Sequence, residues 1–264
     1  MQINHVHLVY YSATYTTKTV SKLISRTLAL PTTEYDVTSD LPQTSVTCGP
    51  QDLLVVGVPV YAGRVPQKAA LALQQFKGSH SPALLVAVYG NRHYDDTLLE
   101  LKELVSEQGF IPTAAGAFIA QHSMFRQVGA HRPDASDEKI IGEFAEKCKQ
   151  QLLACPDFSQ LGELAVPGQK PYKVPGSMPI FPLGDEKCID CGRCAKLCPE
   201  QAIPADKPTE TDTDLCIKCG RCILVCPTGS RHLEAQGVDI QAIEAKFTAA
   251  NAARRAPELF YLES

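Results

Sequence analysis

Eight of the eleven cysteines in this chain fall into one arrangement that occurs twice. The first copy is Cys188-x-x-Cys191-x-x-Cys194-x-x-x-Cys198-Pro199, and the second is Cys216-x-x-Cys219-x-x-Cys222-x-x-x-Cys226-Pro227. Each cysteine of the second copy stands 28 positions after its counterpart, so the segment is an internal repeat. Three thiolates in such close succession can wrap a tight loop around one face of an iron–sulfur cube, and the fourth must then come from elsewhere. Zinc sites show paired C-x-x-C motifs across a longer gap rather than three cysteines in a row. Gly192 and Gly220 let the backbone approach inorganic sulfur, and Pro199 and Pro227 end any helix at the fourth cysteines.

The repeat resembles that of bacterial two-cluster ferredoxins, in which the lone fourth cysteine serves the other cluster. The resemblance implies two 4Fe–4S clusters. One is held by Cys188, Cys191, Cys194 and Cys226, and the other by Cys216, Cys219, Cys222 and Cys198. Cys48, Cys148 and Cys155 are left over. Cys148 follows Phe144 by four residues on a helical stripe, which suits a small core residue. Cys48 has no ligand pattern around it.

The elements that must position this chemistry can be read along the chain. Apolar runs predict strands at Ile3–Tyr11, Asp52–Tyr61, Pro82–Tyr89 and Thr113–Gln121, and Glu34–Thr38 reads as a short second strand. Helices are expected between them: one with Val20, Leu23, Ile24 and Leu28 inward, one opened by Pro66 and closed by Gly78, and one capped by Asp95 and followed by Gly109. A last one is capped by Asp134 or Ser136 and carries Ile141, Phe144, Cys148 and Leu152. Such alternation predicts a doubly wound α/β fold, with a parallel five-stranded sheet covered on both faces, over residues 1–155. Six prolines punctuate 156–182, which reads as a semi-rigid connector. Residues 183–234 form a small α+β cluster domain. Residues 235–264 hold a helix capped by Asp239, with Ile240, Ile243 and Phe247 on one face. The tail there, Leu259-Phe260-Tyr261-Leu262, is too apolar to hang free and is expected to dock.

An open parallel sheet binds ligands beyond the carboxyl ends of its strands, and three loops there stand out. Ser12-Ala13-Thr14-Tyr15-Thr16-Thr17 brings hydroxyls to a helix N-terminus, a natural phosphate cradle and equally an ordinary capping segment. Pro59-Val60-Tyr61-Ala62-Gly63-Arg64-Val65-Pro66 and Tyr89-Gly90-Asn91-Arg92-His93-Tyr94-Asp95-Asp96 place glycine and aromatics after strands, where a flat ligand can be approached and stacked. Arg92 could face such a ring or solvent. His122, after the fifth strand, could touch the ligand, a substrate or the cluster domain, although a lone histidine is more often structural.

These loops give residues 3–155 a resemblance to a flavodoxin domain. Ser12, Thr14, Tyr15, Thr16 and Thr17 resemble its FMN phosphate loop, with Tyr15 where that loop usually has glycine. Pro59, Val60, Tyr61 and Gly63 resemble one ring-flanking loop. Tyr89, Gly90, Asn91, Arg92, Tyr94 and Asp95 resemble the other. With the cysteine repeat, the whole chain resembles the flavodoxin–ferredoxin fusion proteins of anaerobes. That family implies FMN and two 4Fe–4S clusters in one chain.

Composition narrows the rest. A net charge of −4 gives no reason to expect a nucleic-acid partner in these 264 residues. The sequence shows neither a run of apolar residues long enough to span a membrane nor a signal-peptide pattern at its start, and its cysteines suit a reducing cytoplasm. No G-x-G-x-x-G follows a strand, so a built-in NAD site is not expected. The favoured function is an electron carrier between FMN, the clusters and an external redox protein or reductase. A flavin-dependent reductase of a small molecule is the alternative. A redox sensor finds no DNA-binding or signalling module to support it. The sequence says nothing of oligomeric state.

Overall fold

A computed structural model describes residues 3–155, 157–158, 161–176, 178–235 and 237–262. The strands β1 (His5–Tyr10), β2 (Thr32–Asp36), β4 (Asp52–Pro59), β6 (Ser81–Tyr89) and β7 (Phe110–Ile119) pair in parallel in the order β2-β1-β4-β6-β7. Counting only these five, that is the 2-1-3-4-5 order of the flavodoxin-like doubly wound fold. β6 is buried at every position, as expected for a central parallel strand covered on both faces.

Helices α1 (Thr16–Leu28) and α4 (Ala135–Ala154) cover one face, and α2 (Gln67–Leu73) and α3 (Thr97–Ser106) cover the other. Val20, Ile24, Ile141, Phe144 and Cys148 meet Leu8, Val55 and Phe118 in the first core. Leu73, Leu98, Leu101 and Val105 meet Val9, Val56 and Leu85 in the second. Cys148 is a core residue, and burial pushes its thiol up to about 12. Asp134 caps α4 through a full capping box, and Asp239 caps α7 (Ile240–Ala250).

Several boundaries differ from the sequence reading. The helix after Pro66 ends at Leu73, not near Gly78. Phe76–Gly78 is a short strand, β5, paired with β3 (Val46–Cys48). Phe76 is fully buried, so packing holds this stretch extended. The N-cap of α3 is Asp96, not Asp95. The Asp96 carboxylate does not cap the helix. It accepts from the backbone N–H of Gln169 (3.0 Å) and of Lys173 (2.7 Å), both in the expected connector.

That connector lies as a strap across α3. Lys102 donates to Leu164 O, and Arg64 sits 4.5 Å above the Tyr172 ring while donating to Lys173 O. Strand β8 (Ile180–Leu183) begins inside the expected connector and pairs antiparallel with β9 (His232–Ala235). Between them run the cysteine repeats, each with a short helix inside it, α5 (Arg193–Lys196) and α6 (Arg221–Val225).

The apolar tail docks as β10 (Glu258–Tyr261), a sixth strand antiparallel to β7. Its partners are small: Ala114, Ala115, Gly116 and Ala117. The two-residue period sends Phe260 and Leu262 to one core and Leu259 and Tyr261 to the other. Ile240, Ile243 and Phe247 of α7 pack on Phe125, Val128 and Ile180, tying the sheet domain to the cluster domain.

Candidate functional site

The repeats fold the eight cysteines into two rings of four. Cys198, Cys216, Cys219 and Cys222 surround one space, and Cys188, Cys191, Cys194 and Cys226 surround the other. Each ring thus takes three cysteines from one copy and the fourth from the other copy. Among the described residues, no group of three or more His, Cys, Asp or Glu side chains could hold a lone metal ion. In each loop a left-handed residue, Asp190 (φ 50°) or Lys218 (φ 59°), precedes the glycine by two positions. Gly192 and Gly220 are left-handed as well (φ 65° and 74°), and such turns aim successive N–H groups inward. Burial pushes the Cys222 thiol up to about 11 and raises Cys219 further. Iron would therefore have to displace protons as it binds.

The two loops differ in what they touch. A Cβ on Gly192 would meet nothing, whereas one on Gly220 would stand 2.5 Å from Ser123 O. The second loop is pressed against the sheet domain, and Cys219 packs into that domain's core. Burial pushes the Tyr61 phenol far up, and the neighbouring Cys219 adds to the rise. Tyr11 donates to Glu200 (3.3 Å), just past Cys198-Pro199, and Lys68 donates to Pro199 O.

A cavity of about 420 Å³ opens at the carboxyl ends of the strands. Thr14 and Thr16 line one end, beside the N-terminus of α1. Pro59, Val60, Tyr61, Ala62 and Gly63 form one wall, and Tyr89, Gly90, Arg92 and His93 form another. Ala62 (φ 53°) and Gly63 (φ 86°) make a tight turn closed by the Tyr61–Arg64 pair. A Cβ on Gly63 would collide with Asp95. His122, Ser123 and Phe125 close the third side. The roof comes from beyond the sheet: Lys173, Gly176 and Met178 of the strap, Ile217 and Lys218 of the second cysteine loop, and Phe247 of α7.

This cavity suits a phosphorylated flat ligand. Its volume falls within the usual range for small-molecule and cofactor sites, about 300–1,000 Å³. A helix N-terminus with two threonine hydroxyls at one end offers a place for phosphate. The Tyr89 hydroxyl is buried without a hydrogen-bond partner among the described residues. Arg92 and Lys173 both pair with Asp95. Burial alone would raise the Asp95 carboxyl, but hydrogen bonds from Lys173 and Arg92 outweigh it and hold it below its usual range.

Residues 187–230 match the family model described as a 4Fe-4S dicluster domain. The chain is a flavodoxin-like sheet domain joined to a ferredoxin-type 4Fe–4S domain. No curated protein matches it. Among solved structures, a short-chain flavodoxin associated with a non-canonical PDU bacterial microcompartment is 17% identical, covers 57% of this chain and 99% of its own, and gives a TM-score of 0.40. The Streptococcus pneumonia TIGR4 flavodoxin is 12% identical over 56% of this chain and 99% of its own, with a TM-score of 0.40. An NADH:FMN oxidoreductase, EMOB, is 14% identical over 58% of this chain and 92% of its own, with a TM-score of 0.41.

Within the flavodoxin-like domain, six expected ligand residues lie outside the cavity wall, each for a physical reason. Ser12 braces its own loop: its N–H donates to Thr38 Oγ1 and its hydroxyl accepts from Lys18 N. Thr17 is buried against Gly57. Tyr15 turns out toward the ferredoxin domain, where Arg221 lies over its ring. Asn91 clasps the segment after α7, donating to Asn251 O and Ala253 O (both 2.8 Å). Tyr94 stacks on His93 and donates to Glu258 of β10 (2.8 Å). Asp95 is occupied by the two cations.

The sequence reading missed the roof and two arginines of the ferredoxin domain. Ile217 and Lys218 were visible only as fillers between cysteines. Arg221 donates to Ser12 O and Ala13 O, and Arg231 lines both cysteine rings. The one available signal for Arg231 is a break in the repeat: its counterpart 28 positions earlier is Ile203.

Proposed function

We propose that this chain is an electron-transfer protein carrying FMN and two 4Fe–4S clusters, with the ring that contains Cys216 as the relay between flavin and the outer cluster. The observation that carries this reading is the shared wall. Ile217 and Lys218 leave the Cys216–Cys222 loop and roof the same cavity that the Thr14, Tyr61 and Tyr89 loops enclose. The ring of Cys188, Cys191, Cys194 and Cys226 contributes no residue to that wall, and Cys191 is exposed. When bound, FMN would exchange electrons singly or in pairs, and each cluster one at a time.

The residues divide the work. Thr14, Thr16 and the start of α1 hold the phosphate. Tyr61, Gly63, Tyr89 and Gly90 flank the ring. Met178 and Phe247 cover the cavity with the chain's own side chains, which favours a carrier over a reductase that must admit a second molecule. The partner is then an external redox protein meeting the exposed side of the Cys188 ring. A reducing cytoplasm is the proposed setting, since eight thiolates must stay free of disulfides. Among the described residues no helix is long and apolar enough to cross a membrane.

Rapid mixing with a one-electron donor under anaerobic conditions tests the relay. In the wild type, cluster bleaching and flavin reduction should be coupled and independent of protein concentration. Cys191→Ser, which leaves the cavity wall untouched, should lose the fast flavin phase. Equal flavin reduction rates in the two proteins would sink the route.

A further inference from the structure

Arg231 is 2% exposed, and it lines both cysteine rings. Its Nη1 donates to Pro208 O (2.9 Å) and Glu210 O (3.0 Å). Its Nη2 donates to Pro182 O (2.9 Å) and lies 3.9 Å from Cys222 Sγ. These carbonyls and the Thr211 hydroxyl, which also accepts from Nη2, supply no negative charge, and among the described residues no ion pair joins Arg231 to a carboxylate. Its Nε is buried with no hydrogen-bond partner among the described residues. A buried guanidinium without a counter-charge is expensive. Nothing in the repeat requires it, because the first copy places the apolar Ile203 at the equivalent position, and Ile203 is buried too.

We propose that Arg231 is a shared counter-cation of the two iron–sulfur clusters, one buried charge that raises the reduction potential of both. The inference rests on the reading that each ring of four cysteines holds a 4Fe–4S cube. Four thiolates and a cube carry net negative charge, and reduction adds one more. A fixed cation in a low-dielectric site therefore favours the reduced form of each cluster it faces. Cys222 Sγ of one ring lies 3.9 Å from Nη2, and Arg231 lines the same space as Cys194 of the other ring. The three carbonyls fix the guanidinium between the rings, so its position does not depend on either cluster alone.

The test is a redox titration of the full anaerobically purified chain, followed by electron paramagnetic resonance, with Arg231→Met and Arg231→Lys. Iron and sulfide are counted first. A wild type lacking about eight of each per chain would defeat the cluster reading itself, separately from this inference. In Arg231→Met both midpoints should move to more negative potential, and Arg231→Lys should restore most of each shift. An unchanged midpoint at either cluster in Arg231→Met overturns the shared role. If that variant assembles no clusters, pulsed resonance on wild-type protein labelled with guanidino-¹⁵N arginine decides. Nitrogen coupling should appear at both reduced clusters, and Arg231→Lys should remove the Arg231 component at each, with Arg221 leaving a residual coupling at the Cys216 ring. Absence of the Arg231 component at either cluster overturns the proposal.

Discussion

The guanidinium carbon of Arg221 lies 5.2 Å from the ring centre of Tyr15, and its Nη1 is 3.3 Å from the carbonyls of both Ser12 and Ala13. An arginine of the ferredoxin domain thus holds the loop at the start of α1. Tyr15 sits at φ 67°, the left-handed conformation that makes glycine usual in such a loop. An L-residue there costs about 1–2 kcal/mol, and a cation over its ring returns about 0.5–1.

Removing that arginine should therefore loosen the ligand as well as the domain contact. Arg221→Met gives up hydrogen bonds from a charged donor, worth about 1.5–3 kcal/mol. Fluorescence titration should show the flavin dissociation constant rising about tenfold or more. Tyr15→Leu keeps the strained backbone and removes only the ring. A double-mutant cycle of the two should give a coupling of about 0.5–1 kcal/mol. An unchanged constant with no coupling would mean the contact is incidental.

Cys198 lies in the first motif but in the ring of Cys216, Cys219 and Cys222. Cys198→Ala should lower iron from about eight to about four per chain. Its resonance spectrum should match that of Cys216→Ala and differ from that of Cys188→Ala. The opposite match would show that the fourth ligands are not exchanged.

Asn91 is a structural clasp rather than a flavin contact. Its amide donates to Asn251 O and Ala253 O and accepts from Arg132 and from Arg255 N (both 3.3 Å). Asn91→Ala leaves several buried groups unpaired, each costing about 1–3 kcal/mol. Urea unfolding should show a loss of about 2–4 kcal/mol. Hydrogen exchange should speed up in β10, which the clasped segment leads into. Unchanged exchange at 258–261 would argue against the clasp.

His122 gives the fold a pH dependence. Burial, with a smaller push from Arg92, lowers its pKa from 6.5 to about 4. Its Nδ1 accepts from Met124 N (3.2 Å) and Phe125 N (3.0 Å), which requires the neutral ring. The unfolded chain binds a proton below pH 6.5 and the folded chain does not until about pH 4. Stability is therefore full above pH 6.5 and falls as the pH drops toward 4, by up to about 3 kcal/mol. Unfolding at pH 7 and pH 5 should show a smaller loss in His122→Gln than in the wild type. Equal losses would place the pH dependence elsewhere.

The sequence by itself determined the parts with short-range signatures. Cysteine spacing fixed the two loops and which residues could ring iron, because ligand geometry acts over a few residues. Apolar runs fixed β1, β4, β6 and β7, and Asp134 and Asp239 fixed helix starts, because strand burial and capping are local. The tail's hydrophobicity required that Leu259–Leu262 dock, but not where. Tertiary structure decided that it lies on β7, where Ala114, Ala115, Gly116 and Ala117 leave room for another strand. It also decided that Asn91, Tyr94 and Asp95 serve the tail and the strap instead of the cavity, while Lys173, Lys218 and Phe247 enter it. A side chain's partner depends on which distant segment folds against it, and residue type carries no record of that. The same holds for Arg221 and Arg231. Arg221 reads as an ordinary surface charge, and Arg231 only as a break in the repeat, until folding buries one against the loop at Ser12 and the other against both cysteine rings.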